Sequence, residues 1–249
     1  MTLQKRPFGF LSGNMLKCIA ACSMLLDHIG YFLFPQYDIL RILGRPAFPI
    51  FAFMISEGCR YTKNKKRYFL TVFLLASLLQ LICYFAIGMT DLISLMGFAI
   101  GILLVYALQF WKHQLFMPNI PLWKKAVSIL PLVFGVVSTA ILCKYVYLDY
   151  GFWGCTMMLF PSLVDSSDAN APQWLRKADR LWIRVLWMLP PMLLLIQESV
   201  SLQIWSLVAL PLLFLYSGKR GKRPMKYFFY IFYPTHLALL QGLQWLLAS

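Results

Sequence analysis

Asn14-Met15-Leu16-Lys17-Cys18-Ile19-Ala20-Ala21-Cys22-Ser23-Met24-Leu25-Leu26-Asp27-His28-Ile29-Gly30 is an apolar run of membrane-crossing length that also carries a lysine, an aspartate and a histidine. A hydrocarbon core of about 30 Å takes about 20 helical residues at 1.5 Å each. Runs of this kind recur along the chain between charge clusters. Nine spans are expected, at 13–33, 39–58, 67–88, 93–111, 126–143, 150–164, 181–197, 201–216 and 227–247, the sixth and eighth being short. No period of about 20–50 residues repeats and no low-complexity linker divides the chain. The fold class that follows is all-α, a polytopic integral membrane helical bundle, with residues 1–249 forming one transmembrane domain.

Composition agrees with lipid as the solvent. Of the 249 residues 60% are hydrophobic, 16% aromatic and 13% charged, against about 45–50% apolar and about 25% charged in ordinary globular chains. A water-soluble domain of this size still has a large polar shell to fill, which excludes both a soluble enzyme and intrinsic disorder. The net charge of +14 would suggest nucleic acid in a soluble chain. Here the cations punctuate apolar spans instead of forming a stripe, so no nucleic-acid partner is expected. The six cysteines form no Cys-x-x-Cys and have no histidine at metal spacing. The run after the mixed first dozen residues is too long for a signal-peptide core and lacks a small-residue cleavage site.

Charge placement sets the expected orientation. With the N-terminus in the cytoplasm, the inner segments hold Lys5 and Arg6, then Arg60, Lys63, Lys65, Lys66 and Arg67, then Lys112, Lys124 and Lys125. Further inner segments hold Arg176, Lys177, Arg180 and Arg184, and finally Lys219, Arg220, Lys222, Arg223 and Lys226. The outer loops keep Lys144 and Arg41 beside Asp38, Asp91, Asp149 and Glu198. Missing or inventing one span would move every later loop to the other side. This asymmetry follows the positive-inside rule and predicts the N-terminus in and the C-terminus out.

Ionisable residues at bilayer depth are costly, at least about 2.5–3.5 kcal/mol each on insertion scales, and call for pairing, water or function. Lys17 and His28 lie about three helical turns apart, so both fall on one face about 16 Å apart along the axis. Lys17 is close enough to the membrane edge to snorkel. Asp27 points about a quarter turn away, toward a neighbouring helix or the imidazole. Arg41 and Arg45, four residues apart, stack on one face near the outer side. Pro46 and Pro49 break the hydrogen-bond ladder there and free carbonyls that must be buried or wet. Glu57 sits near the inner end, and His236 lies near mid-depth just after Pro234. Together these residues predict a polar cavity between the first, second and ninth spans. The Lys63 to Arg67 run serves as a topology signal and lies where a cytoplasmic polyphosphate would dock. Asp149-Tyr150-Gly151 reads as a turn with an interfacial aromatic, and His113 as interfacial. No Gly-rich phosphate loop, serine elbow or metal-ligand set is present, so no metal is expected.

Leu16-Lys17-x-Ile19-Ala20-x-x-x-Met24-x-x-Asp27-His28-Ile29-Gly30 resembles the TraX family, as do Leu40-Arg41-Ile42-x-Gly44-Arg45-x-Ala47-Phe48-Pro49-Ile50-Phe51-Ala52-Phe53 and Glu57-Gly58-x-Arg60-x-Thr62-x-Asn64. Asp149-Tyr150-Gly151 with Gly154, and Tyr230 to Leu237, are also similar to it. The likeness is dense over residues 14–68. The family is named for a conjugation-system protein that acetylates the N-terminus of F-type pilin. The basic-residue-to-histidine spacing in the first span is similar to that of the acyltransferase-3 proteins, in which such a histidine is implicated in transfer.

The resemblance implies a multi-pass acyltransferase, an acetyltransferase in the first instance, in the bacterial cytoplasmic membrane. Its donor would be acetyl-CoA, and its acceptor a peptide amine, a glycan hydroxyl or a lipid. His28 would be the catalytic base, aided by Asp27. Arg41, Arg45 and His236 would stand on the oxyanion and acceptor side. Lys17, Lys63, Lys65, Lys66 and Arg67 would contact the donor. Two other readings stand beside this one: a proton-coupled transporter using the same residues as a relay, and a non-catalytic envelope assembly protein. The inverted repeat common in carriers is not visible.

Overall fold

Prolines mark several of the points where the helices of this chain break. The computed structural model describes residues 9–88, 90–198, 201–222 and 225–248. Lys5, Arg6 and Arg223 of the charge map lie outside the described residues, as does the Lys226 side chain. In chain order the helices are α1 (Gly13–Phe32), α2 (Asp38–Gly44), α3 (Ala47–Tyr61), α4 (Lys65–Ile87) and α5 (Ser94–Phe116). Next come α6 (Leu122–Val127), α7 (Leu130–Tyr145), α8 (Gly151–Thr156), α9 (Leu159–Leu163) and α10 (Gln173–Ala178). The remainder are α11 (Leu181–Leu186), α12 (Leu189–Glu198), the 3-10 segment Ser201–Val208, α13 (Ala209–Phe214) and α14 (Lys226–Ala248). The described residues contain no strand; Leu11 with Tyr216 and Leu92 with Leu148 form isolated bridges. The expected all-helical class is what the chain adopts.

Among the described residues, six helical stretches are long and apolar enough to cross a membrane: Gly13–Phe32, Asp38–Tyr61, Lys65–Phe85, Ser94–Phe116, Leu122–Tyr145 and Leu181–Glu198. Several of these, and the shorter stretches beside them, are interrupted. The breaks fall just ahead of Pro49, Pro131, Pro161, Pro190 and Pro211, with Pro46 itself in the first of them. A proline nitrogen has no hydrogen for the carbonyl four residues back, and its ring crowds that carbonyl, so the ladder restarts with proline in the new first turn. The expected sixth span, 150–164, is therefore the short pair α8 and α9. The expected eighth, 201–216, is the 3-10 segment followed by α13. Leu74, Leu78, Phe134 and Ile141 on α4 and α7 are exposed. Such rows suit hydrocarbon and not water.

The chain divides into two compact units. Residues 1–54 and 196–249 form the first. Ser12 caps α1 by accepting from the Met15 amide at 3.2 Å, and α1 packs against α2 and α14. The break after α2 leaves carbonyls without helical donors, and α1 supplies one. Ser23 Oγ donates to the Leu43 carbonyl at 2.5 Å and lies 3.1 Å from that of Gly44. The Arg45 amide takes the Ile42 carbonyl at 3.2 Å. Arg45 Nε takes that of Arg41 at 3.3 Å. The freed carbonyls of the last turn are thus satisfied inside the protein, as a lipid surround demands. Close approach makes this possible: a Cβ at Gly44 would fall on the Asp27 side chain.

Residues 55–195 form the second unit. Asn64 caps α4, its Oδ1 accepting from the Arg67 amide at 2.8 Å. α5 is the central helix, packed against α4, α6, α7, α8 and α9. Small residues on α5 admit the broken pair: a Cβ at Gly101 would overlap Met158 and the Cys155 carbonyl. The segment between α9 and α11 is held by a small core of Val164, Ala171 and Leu175, with Phe116 and Ile183 against it.

Gly44→Ala is expected to lower stability by about 1–3 kcal/mol through overpacking against α1. The readout is the melting midpoint in detergent micelles. An unchanged midpoint would show that α1 and α2 do not meet at this point.

Candidate functional site

In the first unit, Asp27 of α1 faces the two arginines of the second expected span. Its Oδ2 lies 3.0 Å from Arg41 Nη1, and its Oδ1 lies 2.7 Å from Arg45 Nη2. One carboxylate thus bridges two guanidiniums and leaves the trio one positive charge in excess. The i, i+4 spacing of Arg41 on α2 and Arg45 at its C-cap brings both forks to the same side. Arg45 Nη1 also donates to Gln203 Oε1 at 3.4 Å, tying in the 3-10 segment. Arg41 lies over the Tyr31 ring, 5.2 Å from its centroid. Asp27 therefore serves the neighbouring helix and makes no recorded bond to the imidazole beside it.

His28, the next residue on α1, turns to α14. Its Nδ1 lies 2.8 Å from Nε2 of His236, and the rings are inclined by 15°. His236 is buried, and its Nδ1 lies 2.8 Å from the Phe232 carbonyl one turn earlier. The Phe232 ring stacks on it with centroids 4.8 Å apart. Beside this pair is an apolar groove of about 470 Å³, lined by Leu25 of α1 and by α14 residues including Phe228, Phe232, Leu239 and Leu243. The same unit thus joins His28, His236, Asp27, Arg41 and Arg45 to the helices expected to meet.

The remaining expected site residues fall elsewhere. Lys17 is half-buried on α1, on the same helix as His28. Lys63, Lys65, Lys66 and Arg67 belong to the second unit and are exposed, with Lys65 Nζ 5.3 Å from the Tyr106 ring centroid. Glu57, expected with the cavity residues, lies in the second unit, buried and paired with Arg184. His113 is exposed and lies 2.6 Å from Asp168.

The second unit holds a buried ionic network that sequence reading did not single out. Arg60 makes a two-pronged bond to Asp179, at 2.8 and 2.6 Å, and its Nε lies 3.3 Å from Asp165. Ser166 donates to Asp179 through its amide at 3.0 Å and its hydroxyl at 2.7 Å. Arg184 Nε stands 4.0 Å from Asp179 Oδ1. Lys112 is buried and donates to the carbonyls of Ser162 (3.2 Å), Leu163 (3.0 Å) and Asp165 at the end of α9. The missed signal was Asp165 and Asp179 standing at either end of a polar segment, in a chain with only nine acidic residues.

Burial alone would raise the Asp179 carboxyl. The bonds and charge of Arg60, joined by Ser166, overcome this and hold it below the usual carboxylate value. Because the folded value lies below the unfolded one of about 3.9, the contribution is complete above that pH and is lost as pH falls through the folded value. Asp179→Asn is expected to lower the melting midpoint most at neutral pH, with the gap to wild type closing below about pH 4. A gap that stays constant through that range would show that this carboxyl is not linked to folding.

An all-helical membrane protein, with buried ionisable side chains bonded inside each unit to acids, imidazoles or freed carbonyls, is the class these features define. The chain belongs to the TraX family, whose pattern, described as "TraX protein", matches residues 12–244. A probable fimbrial assembly protein, FimC of serogroup H1 from Dichelobacter nodosus, is 25% identical over 246 residues, covering 92% of this chain and 94% of its own length. An uncharacterized protein of Rickettsia prowazekii is 43% identical over 54 residues, 22% of this chain and 21% of its own length. The chain thus spans about a fifth of the Rickettsia protein's length. No solved structure matches.

Proposed function

We propose that the protein is an integral membrane acetyltransferase that moves an acetyl group from cytoplasmic acetyl-CoA to an amine or hydroxyl at or beyond the membrane. The observation that carries this reading is the placement, in one compact unit, of an imidazole pair next to a carboxylate-bridged arginine pair. Acyl transfer from a thioester needs a base for the acceptor's proton, and donors or positive charge for the oxygen that becomes negative. His28 supplies the first. Arg41 and Arg45, which outnumber the carboxylate between them, supply the second.

In the step proposed, the acceptor nitrogen or oxygen bonds to the thioester carbonyl carbon while its proton passes to His28. The tetrahedral intermediate collapses, the carbon–sulfur bond breaks, and the CoA thiolate leaves and takes the proton back from His28. His236 is assigned to the acceptor side of this scheme as the neighbour of His28. Lys17, in the unit that holds His28, is assigned a donor contact. The exposed Lys63, Lys65, Lys66 and Arg67 are assigned to attracting the donor's polyphosphate. Membrane lipids surround the chain, and the acceptor class is a peptide, a glycan or a lipid. The name of the Dichelobacter relative supports an acceptor among surface-fibre or envelope components. It also favours a second reading, a non-catalytic assembly protein.

His28→Ala is expected to reduce transfer of labelled acetyl from acetyl-CoA at least about a hundredfold, with expression and helix content unchanged. Retained transfer removes His28 from the mechanism. No label on the protein, on an acceptor or in hydrolysed form would favour the assembly reading. CoA-independent flux across proteoliposomes would favour a carrier.

The proposal includes nine spans with the N-terminus inside and the C-terminus outside, in the bacterial cytoplasmic membrane. It counts the broken helices and α14, a helix of 23 residues, as crossings. An alkaline phosphatase fused after Ser249 is expected to be active, and a fluorescent protein fused there dark. The reverse result would place the C-terminus in the cytoplasm and remove or add one span.

A further inference from the structure

The two histidines carry more information than their distance. The Phe232 carbonyl oxygen can only accept a hydrogen bond, so His236 Nδ1, 2.8 Å away, must carry the proton. A neutral imidazole has one N–H, so Nε2 of His236 is then a bare acceptor. His28 Nδ1 lies 2.8 Å from that acceptor and must donate to it. The remaining ring nitrogen of His28, Nε2, is left without a proton. One backbone carbonyl of α14 thereby sets the protonation of a ring on α1, two bonds away.

We propose that His236 is a positioning residue that holds His28 in the Nδ1–H tautomer, so that His28 Nε2 is the basic atom and His236 touches neither donor nor acceptor. The proposal rests on the reading of His28 as base and gives that base a single competent nitrogen. It differs from a second catalytic base at position 236, because the lone pair of His236 Nε2 is already engaged by His28. When His28 Nε2 takes the acceptor's proton, the Nδ1–H bond to His236 persists and spreads the new positive charge over both rings. A free imidazole divides itself between two tautomers and two ring flips. The pair, stacked under Phe232, removes that freedom before substrate arrives.

The test uses full-length protein in lipid nanodiscs with ring-15N histidine. The chain has three histidines, and His113→Gln leaves the two of interest. In this background His28 is expected to show a protonated Nδ1 and a bare Nε2 at neutral pH, with the same pattern at His236. His236→Leu should split His28 between tautomers and lower kcat about tenfold or more, with KM for acetyl-CoA unchanged. His236→Gln, whose side-chain oxygen offers an acceptor near the same place, should restore the tautomer and part of kcat. A proton found on His28 Nε2 overturns the proposal, as does a His28 spectrum unmoved by His236→Leu. If His236→Leu fails to fold, the spectrum of the parent and the His236→Gln rescue still decide. A locked tautomer combined with full transfer in His28→Ala would remove His28 as the base and leave the lock standing. Lost transfer in His28→Ala with an unlocked ring would do the reverse.

Discussion

Asp27 is bound on both oxygens by arginines from the next helix segment, and the first unit is organised around that bridge. In hydrocarbon no water can take the place of a lost partner. Removing one member of a buried ionic group typically costs about 3–5 kcal/mol, because the survivors stay buried and unpaired. The bridge also dictates details that are otherwise hard to explain. Gly44 must lack a side chain so that the Asp27 carboxylate can come close. Ser23, one turn earlier on α1, then reaches the Leu43 and Gly44 carbonyls left open where the helix breaks.

The second unit meets the same constraint with different chemistry. Arg60 and Arg184 are matched by Asp165, Asp179 and Glu57. Lys112 has no carboxylate in its bonds and is held by three carbonyls at a helix end, where the peptide dipoles point their negative ends. Broken helices make both solutions available. A continuous helix consumes its own carbonyls, whereas one interrupted at a proline offers them to a neighbouring side chain. The interrupted segments of this chain are where its polar interior is built.

Much of this was legible beforehand, and the unreadable part has physical causes. Length and apolarity announced the helices, and prolines marked the breaks, although proline alone does not tell whether a broken stretch still crosses. The Arg41–Arg45 spacing put both guanidiniums on one face, and Asp27 was expected to meet a neighbouring helix or the imidazole; the structure gives it to the arginines. His28 and His236 were expected in one cavity, but their direct contact was not legible, because most of the chain separates them and no local periodicity links them. Asp165 and Asp179 went unnoticed for a different reason. A reading based on the positive-inside rule treats Arg60, Lys112 and Arg184 as loop markers, and so does not ask which acids they hold. Glu57 was expected with the cavity residues of the first spans, but its partner is Arg184, more than a hundred residues on, which no local pattern in the sequence links to it.

The short link between α1 and α2 bears on biogenesis. An isolated first helix would deliver an unneutralised carboxylate into the bilayer, and an isolated second segment two guanidiniums and a set of stranded carbonyls. Neither half is a good passenger for the translocon, yet joined they conceal nearly all of one another's polarity. The N-terminal hairpin therefore has reason to leave the insertion channel as a single folded object, with its ion bridge closed before lipid surrounds it.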